Sequence, residues 1–284
     1  MGELTSLFLD VISYQMNEAL QLIFLAAAGV LIAILFTRES LHLILKRLAP
    51  SSLRVNMIVY LVDALIISLP IGFLVIALYK HLGATQPAMP MSSAPDWIVG
   101  VACVVVGDFI GYWRHRLEHS RFLWSAHSLH HSDEQMTWFT TYRIHPLNRA
   151  TTAIIDNCAL LLVGFPIWAI ALAAVIRRFY GMFVHMNRPW TLGILGRIFV
   201  SPAMHRWHHV KSGPGMSRNY AQIFSIYDRM FGTYYVPGPC YEQLGVEGID
   251  QNAYLLQMIL PFRGVFKLFK GIDNLKSSSS IEKV

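Results

Sequence analysis

Charge is scarce in this sequence. Asp, Glu, Lys and Arg make up 14% of its 284 residues, against 54% hydrophobic residues and a mean hydropathy of +0.44. A soluble domain carries nearer a quarter charged residues, so the deficit excludes a water-facing surface over much of the chain and points to lipid. Cysteine is scarce too. Cys103, Cys158 and Cys240 lie apart, with no CxxC pair and no disulfide framework, so buried or free thiols are expected. No GxGxxG strand–helix unit is present for a dinucleotide, and HExxH is absent, which argues against a zinc hydrolase. The formal charge of +6 is not gathered into a basic stripe with interleaved aromatics, so nucleic acid is not an expected partner. The first residues also lack Lys and Arg, and no small-residue cleavage site follows the first apolar run. That run is expected to be a retained membrane segment.

Long apolar runs are what the sequence has instead. Residues 19–36 are broken only by Gln21, residues 57–79 by Asp63 and Pro70-Ile-Gly72, and residues 97–113 carry one charge, Asp108. Each approaches the roughly 20 residues that cross a bilayer core. Arg38, Lys46, Arg47 and Arg54 lie between the first two runs, Lys80 alone between the second and third, and Arg114, Arg116, Arg121, Arg143 and Arg149 after the third. Such alternation places the first loop and the region after the third run on the cytoplasmic face. The run at 151–175 is divided by Gly164-Phe-Pro166 into pieces of about 12 residues, each about 18 Å long as a helix. Proline removes a donor there and disfavours helix at Phe165. A hairpin that enters and leaves through one face is preferred over one kinked crossing helix.

The expected fold is therefore all-α: a polytopic membrane protein with a cytoplasmic, histidine-rich helical cap beginning near Phe179. Its regions are an N-terminal transmembrane part (1–95), a catalytic part (96–240), and an interfacial helix with a flexible tail (241–284). The interfacial helix is placed at Leu255–Lys270, with an ordinary cap-packed helix as the alternative, and the tail at Ser277–Ser280.

Of twelve histidines, His42 and His81 lie near expected membrane ends. The rest fall between His115 and His209. HRLEH holds His115 and His119, HSLHH holds His127, His130 and His131, YRIHP holds His145, FVHMN holds His185, and HRWHH holds His205, His208 and His209. Positions i and i+4 share a helix face, so such pairs can point at one ion. Protonated, these clusters would repel themselves; a metal holds imidazole neutral. Ten rings exceed one coordination shell, and two ions absorb nearly all of them. Zinc, iron, copper and nickel all accept imidazole. Structural zinc usually recruits cysteine, and none is near. Iron is favoured, because a redox ion at a membrane rim can reach lipid carbons that offer no handle for acid–base chemistry.

Taken together, Asp108-x3-Tyr112-Trp113-x-His115-Arg116-x2-His119, HSLHHSDE, YRIHP, FVHMN, HRWHH, Asn219-Tyr220 and YDRMFGTYY resemble the fatty acid hydroxylase/sterol desaturase superfamily, over somewhat under half the chain. Two positions depart from that pattern: Ala221, where many relatives carry Gly, and Tyr227, where Trp is usual. The resemblance implies a membrane di-iron oxygenase that uses O2 and two external electrons to hydroxylate or desaturate a lipid, with zinc a possible substitute in preparations. It implies that His115, His119, His127, His130, His131, His205, His208 and His209 bind metal, with His145 and His185 as further ligands.

Imidazole ligands need partners on the second ring nitrogen. Asp108, an acid in an apolar span and seven residues before His115, is the sharpest candidate, and Asp228 and Asn219 are others. Glu118 is read as a solvated or cap-contacting charge, Asp133 and Glu134 as helix-end or surface acids, and Asp63 and Asp156 have no motif behind them. Trp113, Trp124, Trp138, Trp168, Trp190 and Trp207 suit an interfacial belt better than a tunnel wall. Arg206 and Lys211 are candidates for contact with a headgroup or an acidic electron donor of ferredoxin or cytochrome type. The rival reading is a metal-binding or zinc-transporting membrane protein without oxygenase activity.

Overall fold

A computed structural model of the chain describes residues 53–83 and 94–262. The run at 19–36, His42, the charges of the first loop before Arg54, the part of the C-terminal helix beyond residue 262, and the serine tail lie outside the described residues. Every regular element among the described residues is helical, with two isolated bridges, Phe199 to Phe224 and Val210 to Leu244.

Helix α1 (Leu53–Val62) passes through a π turn (Asp63–Ile67) into α2 (Ser68–Gly83). The widening falls just before Pro70, whose missing N–H and ring would otherwise disrupt the i to i−4 ladder. Helix α3 (Asp96–Glu118) follows Pro95. After α4 (Trp124–His131) come α5 (Pro146–Thr151), a second π turn (Thr152–Asp156) and α6 (Asn157–Val163). Gly164 then ends the helix at φ 96°, a left-handed conformation that glycine adopts without a Cβ penalty. Its N–H donates to Leu161 O at 2.9 Å, and that of Phe165 to Leu160 O at 3.1 Å. Pro166 opens α7 (Ile167–Val184), whose fixed φ suits a helix start.

The two arms come back to one place. His130 Nδ1 meets the carbonyl of Arg143, just before α5, at 3.3 Å, and its Nε2 lies 3.1 Å from that of His185, which caps α7. The chain thus reverses at Gly164–Pro166, as the hairpin reading expects. Its second arm is longer than expected, because the mixed segment from Phe179, read as cap, continues α7 for 18 residues in all.

Helices α3 and α7 pack most intimately, around Cys103, Leu160, Phe165, Ala169, Ile170 and Ala173. Gly111 permits the closest approach: a Cβ there would lie 2.0 Å from Arg177 Nη2. Leu53–Leu78, Asp96–Glu118 and Ile167–Val184 are long and apolar enough to cross a membrane. Their outward faces carry exposed Leu65, Ile66, Val101, Val105, Leu172 and Ile176. The histidine end is closed by α8 (Pro202–His208), which Ser201 caps by accepting from Met204 N–H at 3.0 Å, and by α9 (Ile226–Met230) and α10 (Tyr254–Ile259).

Candidate metal centre

Nine of the ten expected histidines converge in two groups. His115, His119, His127, His131 and His208 form one, and His130, His185, His205 and His209 the other; within each group the ligand atoms lie within 4.8 Å of one another. Helical geometry explains the division. Pairs four apart (115/119, 127/131, 205/209) share a face and a group, whereas His130 and His208, one residue off, turn about 100° to the other group. HSLHH therefore contributes two rings to the first group and one to the second, and HRWHH the reverse. The groups touch where His131 stacks on His209, centroids 4.2 Å apart.

Backbone carbonyls set the tautomers. His115 Nδ1 donates to Tyr220 O at 2.8 Å, His208 Nδ1 to Arg218 O at 2.6 Å, His185 Nδ1 to Gly181 O at 2.6 Å and His130 Nδ1 to Arg143 O at 3.3 Å. A carbonyl only accepts, so each Nδ1 carries hydrogen and each Nε2 presents a lone pair. Yet Nε2 of His115 faces that of His208 at 3.1 Å, and Nε2 of His130 faces that of His185 at 3.1 Å. Opposed lone pairs repel, and a cation between them removes the repulsion. Nitrogens about 2.0–2.1 Å from one shared ion sit roughly 2.9–3.4 Å apart; the edges here, including His185–His205 at 2.9 Å and His205–His209 at 3.2 Å, fall in that range. Buried Nε2 atoms of His119 and His131 have no hydrogen-bond partner. The donor set fits two imidazole-bound metal ions.

Electrostatics favour the neutral ligand form. Burial first, and then repulsion by the neighbouring rings, hold His119, His131, His205 and His209 well below the usual imidazole range. Burial lowers His185 to about 4, against its hydrogen bond to Gly181 and the field of Asp133.

The tenth expected ligand, His145, is placed apart from the other nine. It caps α5: its Nδ1 accepts from Leu147 N–H at 3.1 Å, and its Nε2 donates to Met258 O at 3.2 Å. Both nitrogens are spent, and the ring stands outside both groups.

Asp108, Asp228 and Asn219 touch no metal-group ring directly. Asp108 accepts from the N–H groups of Ile223 (3.1 Å) and Phe224 (2.8 Å). Asp228 accepts from those of Tyr220 (2.7 Å) and Ala221 (2.9 Å) and from Thr233 Oγ1 (2.7 Å). Asn219, at φ 58°, bonds Met204 O (3.0 Å) and both backbone groups of Tyr235 (2.7 Å each). All three brace the 218–224 loop, which supplies the carbonyls for His115 and His208.

The acid nearest the rings is Glu118; of the two expected states, solvated or cap-contacting, it takes the buried, contacting one, with its Oε2 3.5 Å from His127 Nδ1. Its place inside HRLEH, between two ligand positions, was the available signal. Arg143, fully buried, was missed as well. It donates to Leu129 O (2.9 Å), Ser132 Oγ (2.8 Å), Asn56 Oδ1 (3.0 Å) and Gln251 O, fixing the end of α4. Asp133 is buried beside it and accepts from Asn56 Nδ2 at 2.9 Å, whereas Glu134 is a surface partner of Lys211 at 3.3 Å.

Residues 100–233, which contain all ten of these histidines, match the family model described as fatty acid hydroxylase. Over that stretch, somewhat under half of the chain, the sequence is similar to the fatty acid hydroxylase family. It is 31% identical over 185 residues to "Ornithine lipid hydroxylase OlsE" of Rhizobium tropici, covering 62% of this chain and 56% of that protein. It is 30% identical over 192 residues to "Alkylglycerol monooxygenase" of Caenorhabditis elegans (64% and 37%), and 31% over 147 residues to the protein of that name in Danio rerio (51% and 32%). The chain thus spans little more than half of the first relative and about a third of the others. No solved structure matches it.

A cavity of about 590 Å³ adjoins the rings, reached by His115, His127, His130, His185 and His205. Ile71, Val75 and Ile76 of α2 form an apolar side; Arg114, Glu118, Asn148, Asp156 and Arg177 line it elsewhere. The charges are matched: Arg114 pairs with Glu118 (2.7 Å) and Asp156 (2.8 Å), Arg177 with Asp156 (2.8 Å), and Arg149 with Asp63 (2.5 Å). None of the tryptophans lines this cavity. A second, of about 350 Å³, reaches His119, His131 and His208 past Trp124, Arg121 and Lys211. Arg206 is engaged with Cys240 O (3.1 Å) and Asn187 Oδ1 (2.8 Å).

Proposed function

We propose that this chain is a membrane-bound di-iron oxygenase that uses O2 and two external electrons to hydroxylate a lipid, with desaturation as the other outcome of the same chemistry. The single observation that carries the reading is the opposition of Nε2 lone pairs fixed by carbonyl-bound Nδ1 atoms, in two adjoining groups at the end of an apolar bundle. The relatives' names, a lipid hydroxylase and monooxygenases, support the substrate class. The nine converging histidines would hold the two ions, which zinc can replace in preparations. Iron, when bound, supplies O2 activation and the one-electron steps that an unactivated C–H bond requires.

The chain's own residues bind and orient. Tyr220, Arg218, Gly181 and Arg143 carbonyls hold the rings in the ligating tautomer, and Glu118 steadies His127. The cavity positions one carbon against the centre and excludes bulk water, so that the reacting groups meet without a further entropic cost. The catalytic part, 96–240, is completed by α1–α2, which supplies a cavity wall and Asn56. Electrons come from a separate carrier of ferredoxin or cytochrome type. The chain is multi-pass, with its histidines on the cytoplasmic face.

The test is metal analysis together with O2 uptake in the presence of reductant and lipid extract. Iron with lipid-dependent uptake is the expected result. Zinc alone under iron-replete expression, with no uptake, overturns the oxygenase reading and supports a metal-binding or zinc-transporting protein.

A further inference from the structure

Asn148 stands on α5, is 3% exposed, and lines the 590 Å³ cavity. Neither its Oδ1 nor its Nδ2 has a hydrogen-bond partner. Buried amide groups are almost always satisfied, so one left bare in a cavity wall is satisfied by what fills the cavity. The charged neighbours Arg114, Arg149 and Arg177 are held in ion pairs, although Arg177 Nε itself lacks a hydrogen-bond partner and lies 4.0 Å from Asp108 Oδ1. Arg114 is committed to Glu118 and Asp156, Arg149 to Asp63, and Arg177 Nη1 to Asp156. The bare group is neutral, with two donors and an acceptor. Ile71, Val75 and Ile76 line the same chamber, and the histidines of both groups close it. Its volume lies in the range of small-ligand sites.

The geometry points to Asn148 as a specificity-determining residue: it hydrogen-bonds an uncharged polar group, a hydroxyl, amide or ester, that the lipid carries close to the carbon to be oxidised, while the aliphatic chain follows α2. The inference rests on the oxygenase reading for the substrate being a lipid. It goes further in saying which end of the lipid enters the chamber. A plain hydrocarbon leaves the amide unpaired, and a site built to bond a polar group discriminates strongly against an analogue that lacks one.

The test is equilibrium binding of tritiated hexadecan-1-ol to the full-length, metal-loaded protein in nanodiscs, competed with hexadecane and hexadecylamine. Hexadecan-1-ol is expected to bind about tenfold more tightly than hexadecane, as one to two neutral hydrogen bonds allow. Asn148→Leu should weaken the alcohol by that factor and leave hexadecane within about twofold. Asn148→Asp should move the preference towards hexadecylamine, and it decides the matter if the leucine variant does not fold. Equal binding of alcohol and hydrocarbon by the wild type, or a preference that survives Asn148→Leu, overturns the inference and leaves water as the partner of the amide. Binding is read without turnover, so absent O2 uptake would count against the oxygenase reading alone.

Discussion

Replacing Asp228 by Asn should loosen one metal position and spare the other. The carboxylate spreads three acceptor contacts over two oxygens: Tyr220 N–H and Thr233 Oγ1 on Oδ1, and Ala221 N–H on Oδ2. An asparagine can keep its oxygen towards Tyr220 and Thr233, but its NH2 then faces the N–H of Ala221. That buried donor goes unsatisfied at about 1–3 kcal/mol, and the two remaining bonds lose their charge assistance. Relief of a buried charge offsets part of this, so a net destabilisation of about 2 kcal/mol is expected. The larger effect is on ligation. Tyr220 O orients His115, and Arg218 O, in the same loop, orients His208; both rings belong to the five-histidine group. In the four-histidine group, His185 and His130 take their carbonyl partners from Gly181 and Arg143, outside the loop. Loss of an outer partner costs about 10–100-fold in metal affinity. Equilibrium dialysis with elemental analysis should show one of two binding steps weakened by that factor. Equal weakening of both, or of neither, would refute the assignment of rings to groups.

His145→Ala should leave metal stoichiometry unchanged and lower stability by about 1 kcal/mol through the lost cap, measured by thermal melts; a fall in bound metal would restore His145 as a ligand. His208→Ala and His209→Ala, neighbours in sequence, should each weaken a different binding step in the same dialysis assay. Gly111→Ala places a Cβ 2.0 Å from Arg177 Nη2 and should cost about 1–3 kcal/mol or more by displacing the Arg177–Asp156 pair; an unchanged melting temperature would contradict the packing. The metal-stripped protein should lose stability as pH falls below about 6.5, because His119, His131, His205 and His209 titrate lower folded than unfolded and the unfolded chain then binds more protons. Each such ring contributes up to about 1.4 kcal/mol per pH unit, with the loss for His185 levelling off near its folded value of about 4. Melts between pH 8 and 5 that do not vary would contradict it.

Local rules made much of this legible in advance. The apolar runs, the break at Gly164–Pro166 and the i, i+4 histidine pairs depend on neighbours a few residues away. What needed the folded chain were contacts across long separations. His145 shares the histidine pattern, but its ring nitrogens are claimed by Leu147 and by Met258, the latter 113 residues on. Glu118 looks like a surface acid until Arg114, Thr151 and His127 are seen around it. Asp63 and Asp156, acids in apolar runs with no motif, have partners 86 residues away in Arg149 and 21 away in Arg177. Which histidine joins which group follows from helical phase, but only once the helices are known to face each other.

Helix α8 and its C-cap serve both groups, with His208 in one and His205 and the capping His209 in the other. Neither coordination shell can therefore close while the chain is still being synthesised upstream of residue 208. A chain halted after His185 would carry six of the nine converging rings and lack His205, His208 and His209.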